Sequence, residues 1–417
     1  MNHFQYKGNE LHAEEVPLKE IVARVGSPVY VYSHATLTRH FTAFDEAFAG
    51  VPHTICYSVK ANSTQAVLRT FITLGGGADI VSGGELYRAL QAGVDPKKVV
   101  YSGVGKKDDE IEYALNTGIL MFNVESEQEL TRISEIASRM GKKAGIAIRV
   151  NPDVDPQTHP YITTGLKNAK FGITIDRAMT EYARAKTLPG IDVIGIDMHI
   201  GSQLTKVTPF VDSIEKLKAM IANLRGQGID LQYFDCGGGL GIQYSTEEPP
   251  LPADYGKEIV AATKELGMHL LFEPGRNIVG NAGILVATCL FTKERDEKNF
   301  IMIDAGMNDL ARPALYGSFH GVQPVVKDQD GMIVADIVGP ICESGDFLVK
   351  DREVPMFRQG DLMAFMSAGA YGFAMSSTYN SRPRVAEVMV KGNQFEVVRE
   401  RETVEDLIRG ERVPSFL

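Results

Sequence analysis

Residues 53–60 read His53-Thr54-Ile55-Cys56-Tyr57-Ser58-Val59-Lys60, a short and mainly apolar run closed by a lysine. A run of this length with apolar residues on both alternations reads as a strand covered on both faces. The pattern recurs at 77–82, 99–103, 120–126, 144–150, 193–200, 230–238 and 269–275. Most of these runs begin roughly 20 to 25 residues after the previous one, the spacing of a βα unit. The stretches between them are helical in period. Residues 125–139, for example, place Leu130, Ile133, Ile136 and Ala137 on one face. Eight such units in a row predict an α/β fold built on a (β/α)8 barrel. One connection, 151–192, is long. It carries Pro152, Pro156 and Pro160 and is expected to begin as an ordered loop over the barrel mouth.

Beyond about residue 280 the texture changes. Strand-like runs at 284–291, 299–304, 331–338, 361–365 and 394–399 are separated by Gly, Asp and Asn turns, and helical period returns only at 404–409. This part is expected to form a second, mostly β domain. Pro28-Val29-Tyr30-Val31-Tyr32 is a strand ahead of the first barrel unit and is expected to join that β domain. The expected division is 1–36 as an N-terminal segment of the β domain, 37–279 as the barrel and 280–417 as the C-terminal β domain.

The 417 residues carry 43 Lys and Arg against 53 Asp and Glu, a net charge of −10. That balance argues against a general nucleic-acid binder, so an anionic ligand needs a local device to hold it. No uncharged apolar run approaches the roughly 18 residues of a membrane span. The first residues are polar and do not read as a secretory signal. Cys56, Cys236, Cys289 and Cys342 are isolated from one another, which excludes a CxxC zinc or redox site and fits a reducing cytoplasm. No metal site is expected.

In such a barrel the chemistry lies at the C-terminal ends of the strands, with phosphate often held after strands 7 and 8. The first run ends in Lys60. The sixth ends His199-Ile200-Gly201-Ser202-Gln203, the seventh Gly237-Gly238-Gly239-Leu240-Gly241, and the eighth Glu273-Pro274-Gly275-Arg276. Taken alone, Lys60 is a strand-end lysine reaching solvent, the glycines are a tight turn, Glu273 is an ion-paired carboxylate and His199 is a core histidine. Together on one rim they suggest more. A lysine in a desolvated site can form a Schiff base. Backbone N–H groups of a glycine loop, helped by the N-terminus of a following helix, can cradle a phosphate, and Arg276 can add a charge-assisted bond. Glu273 would pair with a pyridinium N–H, and His199 would stack on the flat ring. Lysine, anion cradle and ring-nitrogen partner are the three contacts that pyridoxal 5'-phosphate requires.

The residues at 57–62, 199–203, 237–241 and 273–276 resemble the fold-type III pyridoxal-phosphate decarboxylases. The C-terminal part resembles the diaminopimelate decarboxylase branch of that family through Asp304-Ala305-Gly306-Met307-Asn308-Asp309, Arg312-Pro313-Ala314-Leu315-Tyr316, Gly339-Pro340-Ile341-Cys342-Glu343-Ser344-Gly345-Asp346, Gly369-Ala370-Tyr371-Gly372 and Tyr379-Asn380-Ser381-Arg382-Pro383-Arg384. Gly317-Ser318-Phe319 departs slightly from the pattern, which often has an acidic residue and a tyrosine there. The resemblance runs from about 28 to 388. It implies decarboxylation of meso-2,6-diaminopimelate to L-lysine and CO2, the last step of lysine biosynthesis. It also implies roles. Lys60 is the Schiff-base lysine, Glu273 pairs with the ring nitrogen and His199 stacks on the ring. Ser202, the backbone of Gly237, Gly238 and Gly239, and the Pro274-Gly275-Arg276 turn hold the phosphate. Arg276, Arg312 and Tyr316 grip the far end of the substrate, with Glu343 on its ammonium. Cys342 donates the proton, Tyr371 touches cofactor and substrate, and Cys342 and Glu343 reach the neighbour's site in a homodimer. Without the resemblance, Cys342 reads as a small buried hydrophobe. An ornithine- or arginine-type decarboxylase is disfavoured by Arg312 and Tyr316, which a substrate without a distal carboxylate would not need. A non-catalytic regulator is disfavoured by Lys60 and Cys342, and a racemase by Glu273 in place of an arginine.

Overall fold

The structure is a computed structural model and describes residues 2–155, 164–165, 170–296 and 298–417. The chain divides into two compact units. One comprises Thr38–Gln243 and Glu247–Ile278; the other comprises the residues up to Leu37, Tyr244–Thr246 and Val279–Leu417.

In the first unit the eight runs are eight parallel strands: His53–Ser58, Gly77–Ile80, Val99–Tyr101, Met121–Val124, Ala144–Asn151, Ile191–Asp197, Tyr233–Asp235 and His269–Phe272. Each pairs with the next, and the eighth returns to the first through Leu271↔Thr54, so the sheet closes into a (β/α)8 barrel. The expected helix at 125–139 runs over Glu127–Arg139, buries the four apolar residues named above, and is capped by Ser126 Oγ accepting from the Glu129 N–H at 3.2 Å.

Side chains alternate along a strand, so residues two apart share a face. One apolar layer inside the barrel is Cys56, Val100, Met121, Ala147, Ile194 and Leu271. Two residues further along the same strands stand Ser58, Ser102, Asn123, Arg149 and Glu273. The sixth strand has a register irregularity between Val193 and Gly195, and there the polar residue is Asp197. The barrel thus changes from an apolar floor to a polar layer within one step of the pleat, at the end where the strands stop. The loop expected over the mouth lies partly at 156–163 and 166–169, outside the described residues. The later part of that connection forms the helix Ile175–Ala185.

The second unit is mostly β. Val29–Ser33 lies in a nine-stranded sheet, antiparallel to Gly283–Arg295 (Val29↔Val286, Val31↔Ile284) and parallel to Ala386–Lys391 (Val31↔Val388). The N-terminal strand therefore does join the C-terminal sheet. Leu11, Leu18, Ile21, Val29, Val31, Ile284, Val286 and Val388 form its core. The helical period at 404–409 produces only a single turn, Glu405–Ile408. Strands Phe347–Pro355, Val322–Pro324 and Ala386–Lys391, and three short strands before residue 18, were not expected from the sequence.

Candidate active site

Lys60 sits in a single helical turn, Val59–Ala61, directly after the first strand. Its Nζ is 2.6 Å from Asp79 Oδ2, which also accepts from Ser58 Oγ at 2.7 Å. The lysine side chain is one-third exposed and the aspartate fully buried. Burial, then the charge of Glu273, push the Asp79 carboxyl up, and Lys60 and Ser58 oppose that. The pair therefore has one partner at the mouth and one in the polar layer.

Glu273 follows the eighth strand and is buried. Its Oε1 accepts from Ser102 Oγ at 3.0 Å and Asn123 Nδ2 at 3.3 Å. Burial raises its pKa, but the Lys60 ammonium and the Arg149 guanidinium oppose this and keep the carboxyl below the usual carboxylate range. Asp197 and Asp235 go the other way. Burial, reinforced by the charge of Glu273, pushes both well above the carboxylate range. Oxygens of Asp197, Asp235 and Glu273 all lie within 4.8 Å of one another. Three negative charges that close are avoided by protonating two of them, which leaves Glu273 as the ionised member.

His199 Nδ1 lies 3.2 Å from the Gly238 N–H and 3.5 Å from Glu273 Oε2. The amide is the nearer partner and can only donate, so Nδ1 is an acceptor. Burial also lowers the imidazole, so the ring is neutral. The seventh strand ends in Asp235, whose Oδ1 accepts from the Gly237 N–H at 3.0 Å. Gly237 has φ +66°, and a Cβ there would meet the Met198 carbonyl at 2.4 Å; at Gly238 it would meet the Glu273 carbonyl at 2.1 Å. Glycine is needed because backbone from the neighbouring strands closes in. Two of the three amides expected to hold an anion are thus already engaged within the chain. The next helix opens only at Pro252, so the expected helix N-terminus does not follow this loop. The eighth strand runs through Pro274, whose carbonyl accepts from the Ser58 N–H at 3.0 Å, into Arg276, whose Nη2 is 3.2 Å from Ser202 Oγ. A Cβ on Gly275 would touch Ser58 and Ala61 at 3.0 Å.

In the other unit, Arg312 is buried at the start of the short helix Arg312–Tyr316. Its Nη1 is 3.0 Å from His320 Nε2 and its Nη2 3.3 Å from Ser318 Oγ. Its Cζ stands 4.6 Å from the centroid of Tyr244. The Gly339–Asp346 segment is tied down by Asp346, which accepts from the N–H groups of Met307 (2.6 Å) and Ile341 (2.7 Å). On it, Cys342 is exposed, not buried, and its N–H donates to Asn380 Oδ1 at 2.7 Å. Glu343 pushes the Tyr379 phenol up. Tyr371 adopts φ +56°, unusual for a bulky residue. It lies between Gly369 and Gly372, where a Cβ would meet carbonyls at 2.1 and 2.4 Å.

The structure gathers Lys60, His199, Ser202, Gly237, Gly238, Gly239, Glu273, Pro274, Gly275 and Arg276 on one barrel rim. Asp79, Asn123, Arg149, Asp197 and Asp235 belong to the same polar layer and were not singled out from the sequence. The signal was available: each falls in or at the end of a strand that is otherwise apolar. Tyr244 and His320 had no such signal.

A lysine on a carboxylate, a neutral imidazole, one ionised carboxylate and a glycine-backed arginine on a barrel rim suit a phosphorylated, electron-accepting cofactor. Residues 34–280 match the family described as "Pyridoxal-dependent decarboxylase, pyridoxal binding domain", and the chain belongs to that family. It is 52% identical to a diaminopimelate decarboxylase of Vibrio cholerae over 409 residues, 98% of each chain. A crystal structure of diaminopimelate decarboxylase from Helicobacter pylori complexed with L-lysine superposes with TM-score 0.91 at 41% identity, covering 94% of this chain and 98% of that one. A lysine/ornithine decarboxylase of Vibrio vulnificus complexed with putrescine shares the fold, with TM-score 0.79 at 22% identity over 90% and 97% of the two chains. Among the described residues no helix is long and apolar enough to cross a membrane.

The rim fits pyridoxal phosphate on its own geometry. Lys60 is partly exposed above a buried floor, Glu273 is a buried, ionised hydrogen-bond acceptor, and Ser202 and Arg276 stand beside a loop whose glycines leave no room for side chains.

Proposed function

We propose that this chain decarboxylates meso-2,6-diaminopimelate to L-lysine and CO2, the last step of lysine biosynthesis, as a cytoplasmic homodimer. The observation that carries the chemistry is Glu273, a fully buried carboxylate that stays ionised beside Lys60. The substrate reading is supported by the similarity along nearly the whole chain to diaminopimelate decarboxylases, one of them complexed with lysine.

Pyridoxal phosphate, when bound, supplies the electron sink that takes up the pair left by the departing carboxyl group. Lys60 would tether it, and Asp79, 2.6 Å away, would receive the ammonium when the lysine is displaced by the substrate amine. Glu273 would hold the ring-nitrogen proton, because its own low pKa keeps that proton off the carboxylate. Neutral His199 would cover a ring face, its orientation fixed by the Gly238 N–H. With the Gly237 and Gly238 amides directed at Asp235 and His199, the phosphate would fall chiefly to Gly239, Ser202 and the Gly275-Arg276 turn. Tyr371 would touch cofactor and substrate. At the far end of the substrate, Arg276, Arg312 and Tyr316 would hold the carboxylate and Glu343 the ammonium. Cys342 would deliver a proton to the reacting carbon. Cys342 and Glu343 are proposed to serve the neighbouring protomer's site.

The test is CO2 release from the three diaminopimelate stereoisomers beside lysine, ornithine and arginine. The meso isomer should be turned over and the simple diamino acids should not. A pocket that pairs polar groups rejects analogues lacking them by on the order of 10⁴. Comparable rates on ornithine would overturn the substrate reading.

A further inference from the structure

Asn380 and Ser381 both have φ +54°, two consecutive residues with side chains in the left-handed region. Asparagine tolerates that region better than most residues, but a neighbouring pair persists there only when the surroundings impose it. The surroundings are a circuit of hydrogen bonds. Asp346, buried at the end of the 339–346 segment, accepts from the Ile341 N–H at 2.7 Å and from the Met307 N–H at 2.6 Å. Next to Met307, the Asn308 carbonyl accepts from the Ser377 N–H at 2.9 Å. Further along that segment, Asn380 Oδ1 accepts from the Cys342 N–H at 2.7 Å. Cys342 follows Ile341, so the circuit closes on itself.

Two successive amides are thus gripped by different segments, Ile341 by a carboxylate of its own loop and Cys342 by an amide oxygen from outside it. Together these bonds fix the peptide planes on either side of Ile341, and the second plane carries the Cα of Cys342. The stem of the loop is packed backbone against backbone: a Cβ on Gly339 would meet Gly306 Cα at 2.4 Å and the Ala305 carbonyl at 2.6 Å. Glu343 is held separately, its N–H donating to the Ile341 carbonyl at 2.8 Å. We infer that Asn380 is a positioning residue. Its left-handed backbone aims the side-chain oxygen that sets the Cys342 peptide, and with it the direction from which the thiol delivers its proton. This rests on the assignment of Cys342 as the proton donor.

The experiment measures kcat and KM for meso-diaminopimelate, in H2O and in D2O, for the cofactor-loaded wild type, Asn380→Gly, Asn380→Asp, Cys342→Ala and the double variant Asn380→Gly/Cys342→Ala. Circular dichroism and cofactor absorbance are read in each. Glycine removes the acceptor and accepts the left-handed backbone, so added strain does not enter the comparison. One hydrogen bond is worth up to about tenfold, so Asn380→Gly should lower kcat by that factor. KM should stay nearly unchanged, because Glu343 keeps its own bond. The solvent isotope effect on kcat should be at least as large as the wild type's, since proton delivery takes a larger share of the turnover. Aspartate keeps an acceptor oxygen and tolerates the same backbone, so Asn380→Asp should recover most of the loss. In the Cys342→Ala background, Asn380→Gly should change kcat no further. Asn380→Ala also lacks the acceptor and takes the place of Asn380→Gly if that variant does not fold. A kcat loss that persists without Cys342, a smaller isotope effect, or an aspartate variant no better than the glycine one would overturn the inference. If Cys342→Ala leaves kcat unchanged, the assignment of Cys342 itself fails. If Cys342→Ala lowers kcat but Asn380→Gly does not, the assignment stands and the positioning role is refuted.

Discussion

Replacing Glu273 with Gln isolates charge from shape. The side chain is buried, and its Oε1 accepts from Ser102 Oγ and Asn123 Nδ2. A glutamine oxygen can keep both bonds and fill the same volume, so the barrel should remain folded. What disappears is the negative charge that would stabilise a ring-nitrogen proton, and an N–H takes the place of an acceptor. A hydrogen bond to a charged group contributes about 1.5–3 kcal/mol. At ~1.4 kcal/mol per tenfold in rate, its complete loss in the transition state lowers kcat by about 10². The assay is steady-state CO2 release at saturating substrate, with circular dichroism and cofactor absorbance as controls for folding and loading. The pH profile adds a second reading. Glu273 is held below the usual carboxylate range, so the wild-type kcat should show no acid limb from this group above about pH 4. A folded, cofactor-loaded Glu273→Gln variant with unchanged kcat would show that Glu273 is structural and refute the electron-sink argument.

Lys60→Ala should abolish covalent retention of pyridoxal phosphate on borohydride reduction, and peptide mapping of the reduced wild type should label Lys60; a different labelled lysine would reassign the tether. Asp197 is pushed up by burial, so its proton is retained on folding. Such a group costs stability as pH rises past its unfolded value of about 4, and the isosteric Asp197→Asn does not titrate. The variant's Tm should therefore exceed the wild type's by more at pH 8 than at pH 5, and a gap independent of pH would contradict the protonated assignment. If each site takes Lys60 from one protomer and Cys342 from the other, mixing Lys60→Ala with Cys342→Ala chains should restore about a quarter of wild-type activity, given random exchange into dimers. Subunit exchange confirmed by mass without recovered activity would place both residues in one protomer's site.

The barrel was legible because its strands are covered on both faces and must be apolar throughout, which leaves runs that periodicity can count. The rim was legible because polar residues close those runs. Strand Phe347–Pro355 was not legible. It edges its sheet, and Lys350-Asp351-Arg352-Glu353 interrupts any apolar alternation. Ala386–Lys391 hid for another reason: its buried Glu387 is matched by Arg399 on the next strand and by the Tyr32 hydroxyl, which is far away in sequence. Asp79, Asp197 and Asp235 were overlooked because an aspartate at a strand end is also an ordinary turn signal. Only the register of eight strands shows that they share one layer with Glu273. Cys342 carried the opposite error. Its sequence context reads as core, whereas the loop tied to Asp346 holds it at the surface. His320 is invisible in one dimension, since its meaning comes from the Met366 carbonyl on one side and Arg312 on the other.

The most direct measurement is a single-turnover reaction of the purified, cofactor-loaded protein with meso-2,6-diaminopimelate, counting CO2 and L-lysine together, with Lys60→Ala run beside it. The account predicts one CO2 and one L-lysine per active site for the wild type and neither for the variant. Turnover by the variant, or CO2 release without stoichiometric lysine, would contradict it.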